Sequence, residues 1–321
     1  MYTNTFLKLF LTIISLIVLI NNVQSDECFK APNVCPNENV TFWLYTRNEQ
    51  NGKEIDIHNF KNLNKQLLDK DKRIKILIHG FRSNRNDAFN METRKALFQL
   101  DDFYVISVNW TPLTQNGCRE TSSLNTRVVG NCTANFIEKI LQHGISLENI
   151  HVIGFSLGAQ TAGFVTPNLK DGKKVYRVTG LDPTLPHFNT TDLSQRLDAS
   201  DGVCVDVIHT AAGIRGQIVP SGTIDFYMND AQDQPGCKKG DQNEDNPHIC
   251  SHKRSFEYFA ESVNSKVGFD GHECEFKDDL PLVNCAEETT VPAGYHTFCG
   301  NSGVYQVNTA AKSPFALGKN A

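Results

Sequence analysis

Short, almost unbroken apolar runs recur along the chain at residues 40–45 (VTFWLY), 73–78 (RIKILI), 103–108 (FYVISV), 150–153, 175–181 and 203–208. Strict alternation of apolar and polar positions would mark strands with one wet face. Near-continuous runs mark strands covered on both faces. Between them, residues 87–98, 122–142 and 157–165 read as helices. Strands alternating with helices predict βαβ units, hence an α/β fold with a mostly parallel central sheet and helices on both faces. No internal repeat, linker or shift in composition marks a second domain. The C-terminal third is richer in turns and cysteines, as expected of disulfide-stapled loops over one core, and VYQVNTAAKSPF reads as a last strand.

The N-terminus departs from this pattern. Lys8 precedes an apolar run over residues 9–20, interrupted only by Thr12 and Ser15, and Val23-Gln24-Ser25 then supplies small residues. That is the layout of a secretory signal peptide over 1–25, leaving a single domain over 26–321. The run is short for a membrane span, and no later segment approaches that length, so the mature chain is expected to be secreted without a transmembrane segment. All ten cysteines lie beyond residue 25. An even count in an exported chain favours disulfides, and the absence of any C-x-x-C pair argues against zinc. Asn39, Asn131 and Asn189 head tripeptides of the N-glycosylation pattern; Asn109 does too, but it ends an apolar strand.

Composition excludes rather than identifies. With 40% hydrophobic and 21% charged residues the chain is an ordinary globular protein. A net charge of -5, with basic residues scattered, gives no footprint for nucleic acid.

Candidate chemistry begins at Gly154-Phe155-Ser156-Leu157-Gly158, directly after one apolar run and before a helix-permissive stretch. A serine there can occupy a strained strand-to-helix turn that presents its hydroxyl. Taken alone, such a match is equally a loop serine. Asp182 ends the run VYRVTGLD, where Pro183 stops the strand. His252 stands in Cys250-Ser251-His252, placed by its surroundings in a loop ahead of the helical stretch FEYFAES, with Cys250 positioned to fix that loop. An aspartate before proline is a common turn and a lone histidine a common surface residue. Serine, acid and histidine in this chain order are what a Ser-His-Asp hydrolase built on an α/β sheet requires.

GFSLGAQTAGF, GLDPTLPHF, CSHKRSFEYF and ILIHGF, with VDVIHT, IDFYMND and QPGC, resemble the pancreatic-lipase family of animal lipases and phospholipases A1 over about residues 35–315. Phe155 and Gln160 depart from that pattern, standing where histidines are usual, and Asn109 replaces an aspartate usual before Trp110. The resemblance implies the α/β-hydrolase fold, a catalytic set of Ser156, Asp182 and His252, and an oxyanion hole from the backbone N–H groups of Phe81 and Leu157. It also implies a lid between Cys237 and Cys250, closed by their disulfide. The lid sequence CKKGDQNEDNPHIC offers almost nothing apolar, and the neighbouring segment 209–225 is short. That combination is similar to the phospholipase A1 branch, including insect and venom members. The alternatives are a triacylglycerol lipase or galactolipase, and a catalytically silent, yolk-protein-like lipid binder. The chain ends soon after its last expected strand, without the C-terminal β-sandwich domain of pancreatic-type lipases.

The expected partner is a phospholipid or other glycerolipid at a membrane or micelle surface, met by a monomer. No cofactor is required. The run Arg196-Leu197-Asp198-Ala199-Ser200-Asp201 resembles the loop where some family lipases hold a structural calcium, through Asp198 and Asp201, against the plain reading of a solvated turn. For the N-terminal cysteines, the resemblance leaves two pairings open: Cys35 with a position near Cys118, or Cys28 with Cys35.

Overall fold

A computed structural model describes residues 28–57, 69–237, 246–287 and 290–318. The expected leader over 1–25 and lid residues 238–245 lie outside the described residues. The strands, in chain order, are β1 (Thr41–Tyr45), β2 (Lys53–Glu54), β3 (Ile74–Ile78), β4 (Tyr104–Asn109), β5 (Ile150–Phe155) and β6 (Arg177–Leu181). Then follow β7 (Cys204–His209), β8 (Ile224–Met228), β9 (Asp270–Lys277), β10 (Asp279–Val283), β11 (Thr290–Pro292) and β12 (Gly303–Val307). They form one sheet in the order β10-β9-β12-β8-β7-β6-β5-β3-β4-β1-β2, with β11 also on β9. From β4 to β12 every neighbouring pair is parallel; β1, β2, β9, β10 and β11 pair antiparallel at the flanks.

Burial follows the apolar pattern. Every residue of β3, β6, β7 and β8 is buried, whereas β1 and β9 alternate towards solvent. Period-two geometry sends neighbouring side chains to opposite faces. Ile76, Ile78, Val152 and Val207 accordingly join one core, and Leu77, Ile153 and Ile208 the other. The helices α1 (Ala88–Leu100), α2 (Arg119–Gln142), α3 (Leu157–Gly163) and α4 (Pro247–Ser262) cover these cores. Val128, Phe136 and Leu157 place α2 and α3 on the first face; Phe89, Leu97, Phe256 and Phe259 place α1 and α4 on the second.

Two local expectations need correction. His252 does not sit in a loop: α4 starts at Pro247, so His252 and Cys250 are helical. The start is set by Asn246, whose Oδ1 accepts hydrogen bonds from the N–H groups of His248 and Ile249, with Pro247 in the first helical position that tolerates it. Reading the helix only from FEYFAES overlooked this cap.

Neither of the two alternative N-terminal pairings forms. Cys28 joins Cys118 and Cys35 joins Cys132, while Cys237–Cys250 forms as expected, beside Cys204–Cys299 and Cys274–Cys285. Cys118, Asn125 and Cys132 are spaced seven apart and share one stripe of α2. The N-terminal segment runs along that stripe, with Asn125 accepting from the Ala31 N–H at 3.0 Å and donating to the Phe29 carbonyl at 2.9 Å. The lengths match: seven residues of extended chain reach roughly 23 Å, and fourteen of helix rise about 21 Å.

Candidate active site

β5 ends at Phe155 and α3 begins at Leu157, which leaves Ser156 alone in the turn at φ 59° and ψ −120°. A side chain other than glycine pays for positive φ in steric strain, so surrounding contacts must hold it. The Ser156 N–H donates to the Leu181 carbonyl at 3.0 Å, and the Ser156 carbonyl accepts from Ala159 at 3.0 Å. The flanking glycines are dictated by close approach. A Cβ on Gly154 would lie 2.1 Å from the Gly158 carbonyl oxygen, and one on Gly158 would lie 1.9 Å from that of Ile78. Only bare backbone lets α3 start directly on β5 and β3.

The loop after β3 crosses the same point. A Cβ on Gly80 would fall 2.9 Å from the Ser156 Cβ. His79 anchors this loop: its Nδ1 faces the Gly80 carbonyl at 3.0 Å, its Nε2 the Trp110 N–H at 3.2 Å, and its carbonyl accepts from the Trp110 indole at 2.9 Å. Complete burial pulls His79 down to about 4. It is neutral near pH 7, donating from Nδ1 and accepting at Nε2. Phe81 follows, partly buried against the core. Leu157, as the first residue of α3, has an N–H that the helix itself does not use.

Asp182 lies just past β6, fully buried, at φ 44°. One carboxylate oxygen, Oδ1, accepts from the N–H groups of Thr210 (2.8 Å) and Ala211 (3.0 Å); the other, Oδ2, meets His252 Nδ1 at 2.5 Å. Gly216 makes room, since a Cβ there would strike Oδ1 at 2.3 Å. With Nδ1 occupied, His252 has Nε2 left for the cavity of about 280 Å³ that His252, Ser156, Leu157 and Phe81 all line. The structure thus brings Ser156, His252, Phe81 and Leu157 to one cavity, with Asp182 directly behind the imidazole.

The two departures from the family pattern have visible contacts. The Phe155 ring lies 4.8 Å from the His252 ring, 5.0 Å from Phe256 and 5.8 Å from Phe89, between centroids. It forms an apolar floor beneath the imidazole. Gln160 is fully buried; its amide donates to the Thr184 carbonyl at 2.8 Å and accepts from the Leu197 N–H at 2.8 Å. It ties α3 to the loop that follows Asp182. Asn109 accepts from the Thr111 hydroxyl at 2.8 Å.

Asp198 and Asp201 form a capping box around the short turn Ala199–Asp201, accepting from the N–H groups of Ser200 (2.7 Å) and Asp198 (2.9 Å) respectively. Burial is the main cause that pushes the Asp201 carboxyl up to about 8. A cation would offset that cost, but calcium takes six to eight oxygens. Among the described residues no cluster of three or more metal-binding side chains exists. The pair fits a calcium ion only with backbone carbonyls or water completing the shell. Asp201 lies against Gly163, at the end of α3 away from Ser156, so an ion there would be structural.

Arg119, Arg215 and His248 also line the cavity and were not singled out from sequence. They carry no motif; only the route of the chain brings them to Ser156.

Residues 19–315 match the lipase family model. A phospholipase A1 of Vespa velutina is 36% identical over 255 residues, covering 74% of this chain and 78% of that protein. A phospholipase A1 of Polybia paulista is 32% identical over 300 residues, covering 88% and 91%. Pancreatic lipase-related protein 2 of Homo sapiens is 37% identical over 274 residues, covering 76% of this chain and 55% of that protein, so the chain spans about half of this last relative.

Proposed function

The chain belongs to the lipase family of serine ester hydrolases, and on that premise we propose that it is a secreted phospholipase A1, cleaving the sn-1 acyl ester of phosphoglycerides. The observation that carries the reading is the strained Ser156 facing a cavity shared with His252, itself held by Asp182. In this reading Ser156 Oγ attacks the ester carbonyl. His252 Nε2 takes its proton and returns it to the leaving alkoxide, and Asp182 holds the imidazole in the tautomer with hydrogen on Nδ1. The backbone N–H groups of Leu157 and Phe81 receive the oxyanion, each worth about 3 kcal/mol of barrier. Water then releases the acyl group by the same steps.

Phospholipid rather than triacylglycerol is favoured by the polar lid sequence, since a lid that opens onto a fat droplet needs a broad apolar face. Two of the relatives above carry the same activity in their names. Five disulfides and the sequence of residues 1–25 support secretion, and among the described residues no helix is long and apolar enough to cross a membrane. The enzyme works as a monomer at a lipid surface. The test offers purified protein phosphatidylcholine and a long-chain triacylglycerol and identifies the products. Release of the sn-1 fatty acid with little triacylglycerol turnover is expected; the reverse pattern would make it a triacylglycerol lipase. A fluorophosphonate probe should label Ser156, and the absence of labelling would point to the silent lipid binder.

A further inference from the structure

The wall of the cavity beside Ser156 is cationic in a way ester hydrolysis does not require. Arg119 opens α2 and lies over the Phe81 ring, 5.6 Å from its centroid. Arg215 sits on a backbone pinned at both ends: its N–H donates to the Ala211 carbonyl at 3.0 Å, and its carbonyl accepts from Leu185 at 2.7 Å. His248, in the first turn of α4, is one helical turn before His252 and shares its face. All three line the cavity, and among the described residues none that lines it is acidic. Asp182 lies behind the wall, committed to His252 and two backbone N–H groups.

Two nitrogens in this wall are buried without a partner. Arg215 Nε and His248 Nδ1 have no hydrogen bond among the described residues. A buried polar atom left unpaired keeps its full desolvation cost, and a charged one keeps more. Burial, and then the Arg119 charge, pull the Arg215 guanidinium below its usual pKa. Two guanidiniums that repel each other across one cavity, one of them with an unused Nε donor, suit a ligand bearing a compact anion. Guanidinium groups match phosphate oxygens in both geometry and charge.

We propose that Arg119 and Arg215, assisted by His248, form a subsite that receives the phosphodiester anion of a phospholipid headgroup while its sn-1 ester lies at Ser156. The proposal rests on the phospholipase reading and deepens it. In a phosphoglyceride the phosphate is carried on the third glycerol carbon, two carbons along from the sn-1 ester. Anion and scissile bond therefore enter one cavity together, and the charged end sets which ester reaches the serine. A neutral diacylglycerol gains nothing from these arginines.

The test compares kcat/KM on phosphatidylcholine with that on a diacylglycerol of the same chains, in mixed micelles, for the wild type and for Arg119→Gln, Arg215→Gln and the double variant. The phospholipid-to-diacylglycerol ratio is expected to fall about threefold in each single variant and tenfold or more in the double. Arg215→Lys, which keeps the charge, should recover most of the Arg215→Gln loss. An unchanged ratio, or equal falls on both lipids, would overturn the subsite. Because Arg215 is half-buried and its Gln variant can fail to fold, exposed Arg119 supplies the independent variant. A second arm measures inhibition of p-nitrophenyl butyrate hydrolysis by glycerophosphocholine and by inorganic phosphate. Inhibition by glycerophosphocholine should weaken tenfold or more in the double variant. Inhibition by free phosphate alone, with no change in lipid ratio, would make this a free-anion site and refute the headgroup role. Should the wild type cleave no phospholipid, the phospholipase reading falls. The glycerophosphocholine arm then still decides the subsite: absence of inhibition in the wild type rejects it.

Discussion

Two histidine–aspartate pairs lie buried at neighbouring strand ends, and only one of them faces open space. His252 Nδ1 meets Asp182 at 2.5 Å; His209 Nε2 meets Asp225 at 2.8 Å. Both aspartates are held by two backbone N–H groups, from Thr210 and Ala211 in one case and Ser221 and Gly222 in the other. The difference lies in the second ring nitrogen. His209 Nδ1 is closed off by the Gln217 carbonyl at 3.1 Å, and its ring stacks on Tyr227 at 4.3 Å. His252 keeps Nε2 towards a cavity that also contains Ser156. A histidine–aspartate contact is therefore a structural device by default. It becomes a candidate for chemistry when one nitrogen is left for a third partner.

The largest expected effects test the open pair. Ser156→Ala and His252→Gln should each lower kcat/KM on a lipid ester by about 10⁴-fold or more, with little change in thermal midpoint. Activity within tenfold of wild type in either would break the assignment. The sealed pair should respond in stability instead. His209→Gln leaves the buried Asp225 carboxylate without its imidazole partner and should cost about 1–3 kcal/mol in denaturant unfolding. A stable His209→Gln protein with catalysis lost as deeply as in His252→Gln would reverse the comparison.

Phe155 allows a finer cut. Phe155→Leu removes the ring beneath His252, and small misplacements of a catalytic group are costly. We expect kcat to fall about tenfold with KM little altered; a rise in KM alone would place Phe155 in lipid binding.

A buried histidine–lysine contact away from the cavity gives a pH-dependent effect. His151, at the opposite end of β5, bonds Thr179 at 2.7 Å and approaches Lys75 at 3.4 Å, and burial holds it well below the usual histidine range. Burial likewise lowers Lys75 from 10.5 to about 7. The folded state then sheds the Lys75 proton before the unfolded state does. The cost of burying that charge is full below pH 7 and disappears as pH rises towards 10.5. Relative to Lys75→Met, the wild type should gain stability between pH 7 and 10, by a few kcal/mol at most. A difference that does not vary with pH would show that Lys75 keeps its proton throughout.

Much of this molecule was legible because local physics leaves a local trace. A strand buried on both faces must be apolar throughout, so RIKILI and VYRVTGL stood out, whereas β9 (DGHECEFK), half exposed at the flank, did not. IDFYM, the buried β8, is legible only through the family resemblance, because its aspartate interrupts the apolar run. The N-terminal disulfides were within reach of arithmetic, since seven extended residues match fourteen helical ones, but only once α2 was known to lie beneath the segment. His252 reads as a loop residue from the apolar pattern because the cap at Asn246, not that pattern, starts α4.

By itself the sequence determined the buried strands β3 to β7, the chain order of serine, acid and histidine, and the glycines on which the Ser156 turn depends. Each follows from interactions among neighbours in the chain or from contact with a flat, buried sheet. The tertiary structure alone decided which histidine is open and which is sealed, that Phe155 lies beneath the imidazole, and that Arg119, Arg215 and His248 converge on one cavity. Those outcomes depend on where loops from β5, β6, β7 and α4 meet across the sheet edge, and no periodicity along the chain encodes a meeting of segments so far apart.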